Sequence, residues 1–452
     1  ASIDNGYTRD NVTSQRMRNL QVKADGPVLP IGGGDIRAAI GVDMRDEQLV
    51  QRQESGSTAP GARPRLHVRD DNIDRLVIAG FAELNVPIFS DQNAKPGLEK
   101  LTLSLAGRYD HYQKYGGQFN PKLGLVWGPV RGVDFHGSYG TSFVAPNMGL
   151  ITSTFTYMGS RDNNTRLTDF RTGLEIPRPF DVWYVGGGNP GLQPEKATNW
   201  SLGVDLAPPQ VPGLRFSVNY YNVDYKNTIY KVSMTEAITN PAFGAYAIVR
   251  PPAGADMTAW NEALAYWQAK SPPEMEVPSY VDWEMILRTE AINLGRRRFQ
   301  GLDIDASYGF STGTIGDFNL SLNANRKLVD KQQVLPGSPY DSRLGTDQAP
   351  KLKGRAVVGW RLQPVSITLG TNYTSSFLYQ SGSGWKKGSS WTIFDVSVGY
   401  SLDALLPGSS LQARVVNLFD KDPPFTDNAN GYLPAIGSPF GRQFELTLRA
   451  KF

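Results

Sequence analysis

The final eleven residues, RQFELTLRAKF (442–452), alternate in character without a break. Phe444, Leu446, Leu448, Ala450 and Phe452 fall on one set of positions, and Gln443, Glu445, Thr447, Arg449 and Lys451 on the other. Successive side chains of a strand point to opposite faces, so this segment is a strand with one apolar and one charged side. The same period returns at 298–310, where Leu302, Ile304, Ala306, Tyr308 and Phe310 interleave with Gly301, Asp303, Asp305, Ser307 and Gly309. It returns again at 316–328 and 364–376. Further candidates lie near 15–25, 35–48, 74–88, 99–112, 119–128, 133–142, 198–207, 213–227, 352–362, 391–401 and 409–418. About fifteen strands result, most near or above the 9–11 residues that cross a bilayer at a tilt.

No apolar run is long enough for a transmembrane helix, and mean hydropathy is −0.35. A membrane β-barrel averages out as polar in this way, because lipid-facing and lumen-facing residues alternate. The connections discriminate further. Short ones, such as GPVRG (128–132), APPQVPG (207–213), STGTIG (311–316) and the turn at Gln363–Pro364, alternate with long ones. The long loops are expected near 48–73, 143–197, 228–297, 329–351, 377–390 and 420–441; the brief connection near 113–118 departs from the alternation. Such asymmetry is that of outer-membrane barrels, whose long loops face the exterior. Tyr109, Tyr139, Tyr220 and Tyr373 end strands leading into long loops, while Trp127, Tyr308, Tyr400 and Phe452 end strands on the short-turn side. Those are the places for two aromatic girdles. The reading is an all-β chain forming an antiparallel transmembrane β-barrel in the bacterial outer membrane, in contact with lipid and lipopolysaccharide.

Single-chain bacterial barrels have an even strand number, and fifteen is odd. Counting back from a periplasmic Phe452 starts the first strand outside the cell, so residues 1–452 are expected to be the C-terminal part of one longer barrel domain. Four segments resemble the TonB-dependent outer-membrane receptor family: SYGTSFVAPNMGL (138–150), GNPGLQPEKATNWSLGVDL (188–206), VVNLFDKDP (415–423) and GRQFELTLRAKF (441–452). The resemblance implies a 22-stranded barrel around a plug, of which about fifteen strands are present here and the plug is absent from this chain. It also implies active import of a scarce ligand, driven by the TonB complex through the plug region. A ferric siderophore is the first expectation, with oligosaccharide or peptide uptake, or a passive or structural barrel, as alternatives. The terminal Phe452 resembles the aromatic ending that the family's assembly machinery reads.

Nothing in the sequence indicates an enzyme. His67, His111 and His136 are scattered and form no metal-ligand spacing, and no cysteine is present, so neither a metal site nor a cofactor is expected. A net charge of +3 gives no support to a nucleic-acid partner. Gly32–Gly34 precedes a strand and reads as a turn, and SGSGWKKGSS (381–390) as a solvated loop tip. The two largest loops are the candidate ligand-binding elements. The first offers Tyr157, Arg161, Arg166, Arg171, Trp183 and Tyr184; the second carries TAWNEALAYWQAK (258–270), with Trp260, Ala263, Leu264 and Trp267 on one side of a helix. Arginines with aromatics suit an anionic planar ligand, stacking on sugars, or loops packing on one another. Haem receptors resembling this family carry a ligating histidine between the segments equivalent to 142–150 and 188–194. None occurs here, and position 144 is valine where arginine is common. Arg296–Arg298 stands where a long loop re-enters the barrel, as a lipopolysaccharide contact or a solvated rim.

Overall fold

The computed structural model describes residues 7–57, 66–152, 155–162, 167–176, 180–252, 254–270, 283–293, 295–381, 384–428 and 430–451. Fifteen strands follow one another in a single antiparallel meander, numbered here β1 to β15. They are β1 (Tyr7–Ile31), β2 (Gly34–Ser57), β3 (Leu66–Phe89), β4 (Lys100–Tyr112) and β5 (Gly116–Val130). Then come β6 (Val133–Val144), β7 (Glu195–Leu206), β8 (Leu214–Lys226), β9 (Arg296–Ser311) and β10 (Asp317–Gln333). The last five are β11 (Leu352–Leu362), β12 (Val365–Thr374), β13 (Trp391–Ser401), β14 (Ser410–Val416) and β15 (Gln443–Arg449). Each strand expected from the alternation is present. Among the described strands, the outer edges of β1 and β15 pair with none.

Register explains why the pattern yields one wall. Apolar positions of neighbouring strands fall opposite one another: Leu20 beside Met44, Leu125 beside Leu103, Ile304 beside Val218, Ala306 beside Leu322, Val358 beside Leu369, and Leu411 beside Leu448. Most of these side chains are exposed, which for large aliphatic groups is costly in water and favourable against lipid tails. The opposite face forms polar cross-strand pairs, among them Ser138–Ser201 (2.9 Å), Asn325–Asp303 (2.7 Å), Arg355–Asn372 (3.1 Å) and Gln412–Ser397 (2.8 Å). That face is the lumen wall. Aromatics mark both rims of the apolar belt. Tyr139 and Trp200 stand in register on the loop side, and Tyr220 lies diagonal to them, its ring 5.2 Å from that of Trp200. On the turn side Trp127 stacks on Phe135 at 5.5 Å and donates its Nε1–H to the carbonyl of Gly97. Trp360 donates likewise to Ile315.

Two expected loops are shorter than 48–73 and 329–351. The strands β2 and β3 continue to Ser57 and resume at Leu66, and β10 continues to Gln333 with Tyr340–Ser342 folded back on it. Beyond the bilayer a strand needs no apolar face, so the alternation that marks it in lipid fades while the hydrogen-bond ladder carries on. The Phe452 ending lies outside the described residues.

The turns on the short side are built tightly. Gly213 has φ +87°, and a Cβ there would lie 2.0 Å from the carbonyl oxygen of Gly309. Alanine suffers both the left-handed backbone and the clash. The Gly213→Ala barrel is therefore expected to lose more than about 1 kcal/mol of stability. The temperature at which the compact band disappears on SDS gels should fall; an unchanged transition would show that the β8–β9 side of the wall relaxes freely.

Candidate functional site

The two largest loops form one body above the barrel. Strands Phe155–Asp162 and Phe180–Gly187 of the first loop join Met285–Arg288 and Ala247–Val249 of the second in a four-stranded sheet. The 285–288 strand runs parallel to 180–187, so segments about a hundred residues apart in sequence are locked together. Alternation supplies a core on each face. Phe180, Val182, Met285 and Leu287 turn to one side, where they meet Ile238 and Phe243. Helix α1 (Met234–Thr239) covers that side, started by a capping box between Ser233 and Glu236. Trp183, Val185 and Ile286 turn to the other, against Trp260 and Trp267 of helix α2 (Thr258–Lys270) and Trp283.

The sequence-derived ligand candidates that are described fall within this body. Trp183, Trp260 and Trp267 are 2, 4 and 6% exposed and form the second core. Tyr184 packs against the first core, its hydroxyl 3.8 Å from the Met234 sulfur. Arg171 donates to Asp169 and to the carbonyls of Gly244 and Ala247, which ties the two loops together. The backbones of Tyr157 and Arg161 belong to the sheet, and their side chains, like Arg166, lie outside the described residues. The rings that are described thus meet one another rather than solvent.

A different set of residues lines an open cavity of about 410 Å³ under this body, at the mouth of the lumen. Val144 of β6, Glu195 of β7, Tyr225 of β8, Arg297 and Phe299 of β9 and Gln332 of β10 share the lumen face there; Tyr230 and Arg343 come from loops. Tyr225 and Phe299 stack 5.9 Å apart at 24°. The Arg297 guanidinium lies 5.8 Å from the centroid of Phe299 and 3.3 Å from buried Asp330, and its Nε has no hydrogen-bond partner. Arg343 donates to Gln332 at 3.1 Å. Burial first, and then the nearby Arg297 charge, hold its pKa below the usual guanidinium range. Glu195 accepts from the backbone amide of Ile229, and Tyr230 donates to Glu236. Burial and that carboxylate push the Tyr230 hydroxyl well above the ordinary tyrosine range, so it stays protonated. The cavity combines two adjacent guanidiniums with aromatic walls, an arrangement that favours a planar anion.

Of these residues the sequence marks Val144 and Glu195, within the family-like segments, and Arg297, as the middle of Arg296–Arg297–Arg298. Counting by twos from Leu302 and Ile304 sends Arg296 and Arg298 outward and Arg297 inward; the one register shift nearby extends β10, not β9. Arg343 carries no comparable periodic signal.

The β-barrel family described as "TonB dependent receptor-like, beta-barrel" matches residues 2–418. Among curated proteins, a ferric enterobactin receptor of Pseudomonas aeruginosa is 22% identical over 416 residues, which is 89% of this chain and 46% of that protein. A vitamin B12 transporter, BtuB of Photobacterium profundum, is 24% identical over 253 residues, 56% of this chain and 30% of that protein. A solved ferric enterobactin receptor mutant from Pseudomonas aeruginosa in complex with enterobactin superposes with a TM-score of 0.60 at 17% identity, covering 96% of this chain and 54% of the other. The siderophore receptor PirA from Acinetobacter baumannii gives 0.59 at 13% identity, over 96% of this chain and 55% of the other. The chain thus spans about half or less of these relatives.

Two outcomes follow for the loops. Trp183→Ala removes a ring buried between sheet and helix, a change that costs about 3–5 kcal/mol in a packed core. Limited proteolysis should then cut the two large loops much faster while the barrel's heat resistance holds; unchanged cleavage would contradict the packing role. In the outer hairpin 377–388, Ser381 (2.6 Å) and Lys386 both donate to Asp427. Lys386 first, then Ser381, depress the Asp427 pKa from 3.8 to about 2. A depressed carboxylate stabilises above its unfolded pKa and stops doing so as pH falls through the folded one. Amide exchange in that hairpin should therefore accelerate between pH 3.8 and about 2 in the native protein and show no such step in Asp427→Asn.

Proposed function

We propose that this chain, which belongs to the TonB-dependent receptor-like β-barrel family, acts in TonB-dependent import across the outer membrane, with a ferric siderophore as the ligand. Receptors of this kind are transporters rather than enzymes. The observation that carries the ligand class is the pairing of Arg297 and Arg343 in one aromatic-walled cavity facing the lumen. Asp330 answers Arg297, whereas Arg343 has no ion-pair partner among the described residues, and a flat catecholate or carboxylate chelate would supply the negative charge there. The comparison proteins support the same class, since one is named for ferric enterobactin and another as a siderophore receptor. Sugar uptake is less favoured, because Trp183, Trp260 and Trp267 are enclosed and offer no open stacking platform.

In this reading the loop body is scaffold and the cavity is the first point of capture. Trp183, Tyr184, Trp260 and Trp267 hold the sheet that roofs the mouth, and Tyr157, Arg161 and Arg166 belong to the same first loop in sequence. Energy reaches the bound ligand through the TonB complex and a plug region, both of which act outside the residues of this chain. Neutralising either guanidinium removes a charge-assisted contact, so Arg297→Ala and Arg343→Ala should each weaken siderophore binding by about tenfold or more. Equilibrium binding of ferric catecholate and carboxylate chelates to the intact receptor, with a neutral oligosaccharide as comparator, measures this. Equal affinity in wild type and both variants would sink the ligand assignment. Uptake that persists after collapse of the proton gradient would sink the energised mechanism.

A further inference from the structure

The inward course of Arg297 leaves its neighbours on the opposite side of the wall, where the import reading has no use for them. Outward positions on β7 to β10 run, from the belt upward, through Trp200, Tyr220 and Leu302 to a basic field. Arg326 stands level with Leu302. Above it come Arg298 and then Arg296, Lys226, Lys196 and Lys331, brought together by register: Lys226 faces both Lys196 and Arg296, and Arg298 faces Lys331. Asp224 is the only carboxylate among the described outward positions of these four strands above the aromatic rim. It holds Arg296 and Arg298 side by side, the latter at 3.2 Å. Lys331 rests over the Tyr340 ring at 4.7 Å, while Lys226, Lys196 and Arg326 project into the open. The outward positions of β1 to β3 differ, because Arg18 faces Asp46, and Gln48 stands between Arg16 and Asp74.

We propose that this patch binds the phosphates of outer-leaflet lipopolysaccharide. Its height fits. From Tyr220 to Lys226 is three same-face steps, about 20 Å along a strand, so the cations span the layer from the aromatic rim upward into the phosphorylated sugars. Its chemistry fits as well. Six cations against one carboxylate leave a surface that repels itself until anions arrive, and Asp224, bonded to Nε and Nη2 of Arg296 and to Nε of Arg298, holds both guanidiniums in place with their remaining N–H groups left for phosphate oxygens. Position decides the partner: a field on the lipid-side wall, directly above the belt, meets the membrane's own anionic headgroups before any soluble anion.

The test uses the intact receptor purified in detergent and incubated with purified lipopolysaccharide, with bound glycolipid counted by native mass spectrometry. Lys196, Lys226 and Lys331 are replaced together by alanine, which leaves the Asp224 clamp in place. Retention should fall by about tenfold or more in this variant, recover when all three are arginine, and fall equally when wild type meets dephosphorylated lipopolysaccharide. SDS-gel heat resistance confirms folding, and Lys226→Glu alone replaces the triple variant if it fails to assemble. Wild-type retention by the alanine or glutamate variant, or equal retention of the dephosphorylated glycolipid, overturns the proposal. So does binding of inorganic phosphate alone without retention of the glycolipid. Siderophore binding should be unaffected by these changes, so this outcome and the failure of the import reading are distinguishable.

Discussion

Everything in this chain depends on the cross-strand ladder. In a hydrocarbon layer each unpaired N–H or C=O costs several kcal/mol, so a strand can cross only when both its edges are bonded to neighbours. Thirteen of the fifteen strands meet that demand on both sides through the meander itself. β1 and β15 meet it on one side only, and their remaining edges call for pairing with strands beyond those described. Pairing then fixes register, register fixes which residues face lipid, and the lumen wall follows as the remainder. The polar pairs along that wall, such as Asn325–Asp303, are consequences of the ladder and need no separate folding signal.

The period of two decides the chemistry as well as the wall. Arg296, Arg297 and Arg298 are adjacent in the chain, yet two stand over the lipid side and one opens into the lumen. One run of identical residues serves two solvents because a single step along a strand reverses its direction. The loop body obeys the same rule, with Val182 and Trp183 feeding separate cores on opposite faces of the small sheet.

That rule also explains what could be read in advance. All fifteen strands show as alternation because lipid demands an apolar side, as at Leu302 to Phe310. The helix at 258–270 shows through the stripe of Trp260, Ala263, Leu264 and Trp267. Strand ends above the membrane do not show, because Gln48 to Ser57 has only Leu49 and Val50 as apolar residues, side by side rather than alternating. Nor does the pairing of 180–187 with 285–288, a contact between distant segments that no local pattern encodes. Reading Trp183, Trp260 and Trp267 as ligand contacts gives no weight to the core that loops of this size need for themselves. The cavity depends on Arg343 meeting Arg297 across the mouth, and long-range meetings of this kind leave no mark on either neighbourhood.

β2 and β3 each have 24 residues, while β11 to β13 have 10 or 11. At about 3.4 Å per residue the longer strands run near 80 Å, far more than a tilted crossing uses. The surplus rises outside the cell as a stiff palisade on one flank, with the knitted loop body next to it and a low parapet along β11 to β13. Where the strands are short, the height is made up differently: the hairpin 377–388 and the loop carrying Ile436 close on one another through Phe377 and Tyr379.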